Sequence, residues 1–252
     1  MAKLIEYMHD TGFHQFPKQG EDSPFTYTWK TSLWEYLEQH PEHKKWFADY
    51  MAIRYQGVDP WFVTFPMSET LAKNAKRDAE SVLLVDVGGS SGHELIKFHQ
   101  SHPDAPGRLV VQDLPTVIEK HQTEETPRYL EMMAYDFFTP QPIKGARAYF
   151  FQNIAHDWPD AECRTILINT VRAMSKGYSR ILIKDYVLPD IGVGLRASTL
   201  DIIMMCACSG IERTQRQWSE LLDSCGLKIV KVWQTRSDYE QVIEATLKND
   251  LC

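Results

Sequence analysis

Two sets of residues in this chain could do chemistry, and the first is a glycine-rich turn. The run Leu83-Leu84-Val85-Asp86-Val87-Gly88-Gly89-Ser90-Ser91-Gly92 is followed by Glu94-Leu95-Ile96-Lys97-Phe98-His99. It reads as a buried strand that stops on a tight turn and passes into a helix. That order aims backbone N–H groups at a ligand beside the carboxyl end of a parallel sheet. Asp113 follows about twenty residues beyond the turn, where such folds place a carboxylate on ribose hydroxyls. The dinucleotide fingerprint itself is not met, because Val87 occupies the place of its first glycine. Asp86 would also repel a pyrophosphate. A cofactor with a ribose, a positive charge and no phosphate suits this loop, which points to S-adenosylmethionine; a structural turn without a ligand is the alternative.

The second set centres on His156, in Tyr149-Phe150-Phe151-Gln152-Asn153-Ile154-Ala155-His156-Asp157-Trp158. A histidine after a parallel strand stands at the crevice where ligands sit, and an imidazole can take a proton from a phenol or enol. A hydrogen bond at the start of a helix is its other reading. Two carboxylates bear on the choice. Asp185 ends a strand in Ile183-Lys184-Asp185, and Glu212 precedes a helix in Gly210-Ile211-Glu212-Arg213-Thr214. A carboxylate on one ring nitrogen fixes the tautomer and leaves the other nitrogen free to accept a proton. Otherwise Glu212 is a loop charge or a partner of Arg213, and Asp185 a loop residue.

The elements that position these residues alternate from Val82 onward. Strands are expected at Leu83–Val87, Arg108–Gln112, Tyr129–Met133, Ala146–Phe151 and Arg180–Val187. Helices are expected at Glu94–Ser101, Leu114–His121, Ala161–Met174 and Gln215–Cys225. The last carries Trp218, Leu221, Leu222 and Cys225 at i, i+3, i+4 and i+7, with Gly226 as its stop. Alternation implies a mainly parallel sheet covered by helices. Two closing strands, Lys228–Gln234 and Tyr239–Thr246, are joined too briefly for a parallel crossover and should be antiparallel. That tail departs from a nicotinamide-binding sheet.

Residues 1–81 are aromatic-rich and helical in pattern, while residues 82–252 form the cofactor-binding domain. Trp34, Leu37 and Glu38, then Trp46, Phe47, Tyr50 and Met51, show helical spacing. Thr31 or Ser32 caps the first of these helices, and Pro41 begins a new stretch. Such a segment must pack on something else. Phe62 and Phe65, with Trp61 and Met67, either line a flat apolar substrate pocket or belong to the core.

The bulk properties exclude several classes. The chain of 252 residues carries a formal net charge of −7, 43% hydrophobic residues and 24% charged residues. An acidic balance with scattered Lys and Arg argues against nucleic acid. Five cysteines without a CxxC pair read as reduced thiols and give no metal-ligand spacing. The first residues lack a signal-peptide core, and no apolar run approaches the roughly 18–20 residues of a membrane span. A cytoplasmic enzyme is expected, with no membrane partner.

Asp86-Val87-Gly88-Gly89-Ser90-Ser91-Gly92, Gln112-Asp113-Leu114-Pro115, Tyr135-Asp136-Phe137-Phe138, His156-Asp157-Trp158 and Glu212-Arg213-Thr214 occur in one family's order and spacing. The chain resembles a class I S-adenosylmethionine-dependent O-methyltransferase of the caffeate/flavonoid type. Gly145-Ala146-Arg147-Ala148-Tyr149 and Gly177-Tyr178-Ser179-Arg180 look most like its fungal secondary-metabolite members. The resemblance implies a Rossmann-like methyltransferase fold, α/β, whose seven-stranded, mainly parallel sheet ends in an antiparallel strand.

By the same resemblance, Asp86, Gly88, Gly89 and Gly92 match the loop beside the methionine part of S-adenosylmethionine. Asp113 matches the ribose acid, Leu114 lies beside the adenine, and Asp136 and Phe137 match its further contacts. Gln152 takes the place of a basic residue near the cofactor. His156 matches the catalytic base, Asp185 and Glu212 the acids that hold it, and Asp157 the residue beside the reacting hydroxyl. Met204 and Cys208 fall on the helix that lines the acceptor pocket in relatives, with core packing as the other reading. The implied acceptor is a phenolic or enolic hydroxyl of a small aromatic or polyketide-like natural product, methylated without a metal.

The chain departs from the pattern in places. Ser90 replaces a glycine, a mild change if its φ is negative. Gln152 removes a positive charge, Asp185 is one methylene shorter than the usual glutamate, and Ala155 is smaller than usual. These changes keep open a methyltransferase-like cyclase, pericyclase or dehydratase that binds the cofactor without transferring methyl, and a non-catalytic cofactor-binding partner domain. Relatives carry an N-terminal dimerisation domain of which Leu4–Phe16 and a strand-like Phe25–Trp29 resemble only the tail. A weak dimer or a monomer is therefore expected.

Overall fold

The computed structural model describes residues 3–13, 22–54, 57–234 and 240–248. Among the described residues six helices come first: α1 (Leu4–Thr11), α2 (Pro24–Trp29), α3 (Leu33–Gln39), α4 (Pro41–Arg54), α5 (Trp61–Thr64) and α6 (Met67–Thr70). The strand-like expectation for Phe25–Trp29 is corrected. Ser23 accepts the Thr26 N–H at 3.0 Å and Pro24 pre-sets the first helical turn, so the segment winds into α2. Ser32, rather than Thr31, caps α3, with Glu35 completing a capping box. Phe16 and Tyr239, which bounded two expected segments, lie outside the described residues.

The sheet has seven strands, β1 (Val82–Val87), β2 (Arg108–Asp113), β3 (Leu130–Ala134), β4 (Ala148–Gln152), β5 (Arg180–Asp185), β8 (Leu227–Trp233) and β9 (Gln241–Leu247), between which β6 (Val187–Leu188) and β7 (Arg213–Thr214) pair separately. Their spatial order is β3-β2-β1-β4-β5-β9-β8. The first five run parallel, and β9 is antiparallel to both β5 and β8. The expected strand Arg180–Val187 is interrupted at Tyr186, where the chain leaves the sheet and β6 pairs with β7. That small pairing sets Val187 opposite Arg213 and carries Glu212 toward the end of β5.

The later helices among the described residues are α7 (His93–Ser101), α8 (Pro115–His121), α9 (Asp160–Val171), α10 (Leu195–Cys208) and α11 (Gln215–Ser224). Successive strand residues face opposite ways, so the sheet has two cores. One joins Val85, Tyr149, Phe151, Ile181 and Ile183 to Ile166 and Leu167 of α9 and to Trp218, Leu221 and Leu222 of α11. The other joins Leu84, Phe150 and Leu182 to Leu95 and Phe98 of α7 and to residues 61–71.

Phe62 and Phe65 belong to this second core. Phe62 meets Phe98 edge-on with centroids 5.7 Å apart, and Phe65 meets Trp233 at the same separation. Trp61 stacks on Phe150 at 4.7 Å. The pocket reading of Phe62 and Phe65 is thus replaced by core packing. Among the described residues no helix is long and apolar enough to cross a membrane.

Candidate active site

At the end of β1 the chain turns back on itself. Gly88 and Gly89 both donate N–H groups to the Gln112 carbonyl, at 2.7 and 3.1 Å. Gly88 and Gly92 have φ of 77° and 76°, a region open to glycine. Gly89 is needed for room instead: a Cβ there would lie 2.6 Å from the Asp86 carboxyl. Ser90 has φ 52°, so the expectation of a mild change at negative φ does not hold. Its N–H donates to Asp113 Oδ2 at 2.9 Å, and Leu114 N–H donates to Oδ1 at 2.8 Å. The ribose-acid candidate is therefore oriented by the turn it faces.

Asp86 is buried, and burial first, then Glu94 and Asp113, push its carboxyl well above the usual range. The nearby Glu94 is buried too, with Oε1 3.2 Å from Lys97 Nζ and Oε2 without a hydrogen bond. This lining favours a cation. Phe137 and Ile154 close over the turn, since a Cβ on Gly88 would meet Ile154 Cδ1 at 2.5 Å and Phe137 Cε1 at 4.0 Å. Asp136 is exposed and accepts the Phe138 N–H at 2.9 Å. Leu114 is 49% exposed, leaving an apolar surface beside Asp113. Gln152, at the end of β4, has its Oε1 buried without a hydrogen bond.

His156 follows β4 on a single 3-10 turn, Ala155–Asp157. Asn153 at φ 52° turns the chain off the strand. The imidazole is buried, and its Nδ1 donates to Glu212 Oε1 at 2.8 Å. A carboxylate only accepts, so the proton of that bond sits on Nδ1 and Nε2 is the nitrogen left to exchange one. Asp157 Oδ1 stands 3.5 Å from Nε2. Asp185 Oδ1 is 4.0 Å from Nδ1, beyond hydrogen-bond reach, and both its oxygens are buried without a hydrogen bond. Its side chain, one methylene shorter than the usual glutamate, stops short of a bond to the imidazole.

Electrostatics follow from this packing. Burial lowers the His156 pKa, but Asp157, Asp185 and Glu212 outweigh it and raise the value to about 10. Burial raises Asp185 to about 8, with His156 pulling it down and Glu212 pushing it up. The four residues expected to act together thus form one cluster, with His156, Asp185 and Glu212 buried and Asp157 half-buried. Glu212 does not pair with Arg213. Arg213 turns the other way, donating to Asp160 Oδ1 at 2.9 Å and to the carbonyls of Ala155 and Trp158, both at 2.8 Å. Neighbouring residues of an extended strand face opposite sides, so one reaches the imidazole while the next staples its turn.

Gly210 is the residue that sequence reasoning passed over. Ile211 N–H donates to the His156 carbonyl at 2.9 Å, and a Cβ on Gly210 would lie 2.1 Å from that oxygen. Only glycine lets the segment before Glu212 lie across the His156 turn. Its signal was a single glycine after an apolar run, with nothing local to distinguish it. On α10, Cys208 Sγ lies 3.8 Å from Asp157 Oδ1 and 3.4 Å from the Met204 carbonyl, while Met204 is half-buried. Cys208 therefore borders the cluster.

The sheet order with its reversed β9, the glycine turn and Asp113 define a Rossmann-like methyltransferase fold. The chain belongs to the O-methyltransferase domain family, whose model matches residues 13–228. It is 38% identical over 248 residues, 98% of this chain and 62% of the relative, to O-methyltransferase ATR12 of Stachybotrys chlorohalonatus. The structure of OxaC in complex with SAH and oxaline superimposes with a TM-score of 0.86 at 31% identity, covering 98% of this chain and 62% of that one. A structure described as a pericyclic reaction enzyme gives the same TM-score at 30% identity, covering 97% of this chain and 63% of that one. The chain thus spans about three fifths of the length of these relatives.

Proposed function

We propose that the protein is an S-adenosylmethionine-dependent O-methyltransferase that acts on a phenolic or enolic hydroxyl of a small natural product, with His156 as general base. The observation that carries the reading is the 2.8 Å bond from His156 Nδ1 to buried Glu212, which leaves Nε2 as the proton acceptor. The cofactor site fits a cation bearing a ribose: Asp86 and Glu94 supply acidic surroundings, Gly88, Gly89 and Gly92 supply space, and Asp113 is held ready by two N–H groups. When bound, S-adenosylmethionine supplies an electrophilic methyl group.

The chain's own work is to hold the acceptor and take its proton. The carboxylates around His156 raise its affinity for a proton, so the unprotonated imidazole is a stronger base than a free one. A phenol, with a pKa of about 10, yields its proton to such a base far more readily than an aliphatic alcohol does. Asp157 stabilises the imidazolium as it forms. Positioning the two reactants contributes on the order of 7–11 kcal/mol relative to a bimolecular reaction, and the base adds roughly 10²–10⁴-fold.

The test is incubation with methyl-labelled S-adenosylmethionine and a panel of phenols, with S-adenosylhomocysteine and labelled product both measured. Equimolar formation of the two supports methyl transfer. Cofactor binding without turnover, accompanied by isomerisation of a substrate, favours the second reading, a methyltransferase-like cyclase or pericyclase. The likeness to the pericyclic reaction enzyme and the loss of a hydrogen bond at Asp185 support that alternative.

A further inference from the structure

Asp201 lies on α10 about two helical turns before Cys208 and has no place in the reading above. Its Oδ1 accepts the backbone N–H of Glu212 at 2.8 Å. Glu212 in turn holds His156 Nδ1 at 2.8 Å. Two consecutive bonds therefore join α10 to the imidazole. The same helix grips the intervening segment a second time, through Gly210 N–H on the Met204 carbonyl at 3.1 Å. The other side of that segment rests on the His156 carbonyl through Ile211 N–H. Without Asp201, one of the supports that fix the Glu212 main chain is gone and a partly buried N–H is left without its acceptor.

We propose that Asp201 is a positioning residue: it fixes Glu212 so that the Glu212 carboxylate keeps its bond to His156 Nδ1. The inference rests on His156 being the base. A carboxylate that holds the imidazolium at 2.8 Å loses much of its effect if its backbone drifts, because charge-assisted bonds weaken steeply with distance and angle. The groups that face His156 are Asp157 beside it, Asp185 from β5 and Glu212 from the segment before β7. Cys208 of α10 lies 3.8 Å from Asp157, while Arg213 and Cys163 interact electrostatically with Asp185. Asp201 faces Glu212 alone among these.

The experiment compares Asp201→Ala and Asp201→Asn in the whole protein, reading the pH profile of kcat and the titration of the His156 ring by nitrogen-15 NMR. Asp201→Ala should lower kcat about tenfold, the effect of weakening, without abolishing, the charge-assisted Glu212–His156 bond. It should also move the His156 midpoint to lower pH, with cofactor Kd within about twofold of wild type. Asp201→Asn, which keeps an accepting oxygen, should restore both readouts. If Asp201→Ala does not fold, Asp201→Ser removes the same acceptor with less loss of polarity. Unchanged kcat and an unchanged His156 midpoint would overturn the proposal, as would equal impairment by Ala and Asn. Full activity in His156→Ala would instead remove the base, while the NMR midpoint still decides whether Asp201 positions Glu212.

Discussion

The glycine turn and the His156 cluster meet at the same end of the sheet but are made of different materials. The turn is mostly backbone: paired N–H groups on Gln112, a carboxylate held by two more N–H groups, and glycines where a Cβ would collide. It comes from one short run plus the end of β2. The cluster is mostly side chain, and its four members come from the turn after β4, the end of β5 and the segment before β7. A backbone site fails when something is added to it. A side-chain site fails when something is removed. The two regions should therefore separate under mutation, one controlling cofactor affinity and the other the rate after binding.

His156→Ala should give the largest effect and the cleanest separation. We expect kcat to fall by roughly 10²–10⁴-fold. Cofactor Kd by calorimetry should stay within about twofold, because the residues around the glycine turn are untouched. A comparable loss of cofactor affinity would mean that the two regions are one. Gly89→Ala is the converse. Its Cβ would sit 2.6 Å from the Asp86 carboxyl, and relief of that overlap costs about 1–3 kcal/mol. Cofactor Kd should rise about tenfold, while single-turnover rates at saturating cofactor fall much less.

The regions also differ in how much of them was legible in the sequence. Strand, turn, helix and acid at β1 and β2 are local, and hydrophobic runs with glycine punctuation reveal local structure. The reversed end of the sheet was legible for the same reason, through the short link before β9. The union of His156, Asp185 and Glu212 was not readable from periodicity, and only the resemblance joined them. Its physical agents are the break of β5 at Tyr186, the two-residue pairing of β6 with β7, and Gly210 lying across His156. None of these leaves a repeating pattern. Phe25–Trp29 misled because aromatic residues suit strands, yet Ser23 and Pro24 start a helix there. Phe62 and Phe65 were ambiguous because a pocket wall and a core demand the same residue types.

A smaller effect separates the regions through pH. His156 titrates at about 10 in the folded protein against an ordinary value of 6.5. The folded state therefore holds that proton more tightly, and the stability this brings is complete below pH 6.5 and lost as pH climbs through 10. Asp185, raised from 3.8 to about 8, acts in the same direction over the lower window. Urea unfolding between pH 6 and 10 should show stability falling with pH, and His156→Ala should flatten the upper part of that fall. A wild-type stability that rises across this range would contradict the cluster's charge arrangement.

The smallest expected effect tests the turn's one departure from glycine. Ser90 sits at φ 52°, where a side chain costs roughly 1–2 kcal/mol by crowding its own carbonyl. Ser90→Gly relieves that cost but gives the unfolded chain more freedom, worth about 0.4–1 kcal/mol in the opposite direction. The Ser90 N–H to Asp113 bond belongs to the backbone and survives the change. The net is a gain of about 0–1.6 kcal/mol, and each 1 kcal/mol raises Tm by about 2–4 °C for a chain of this size. Calorimetry reads this directly. A fall in Tm would mean that the serine hydroxyl, or a turn more relaxed than its φ implies, holds the loop together. An unchanged cofactor Kd would then show that the turn recognises its ligand through N–H groups and space, not through the side chain at 90.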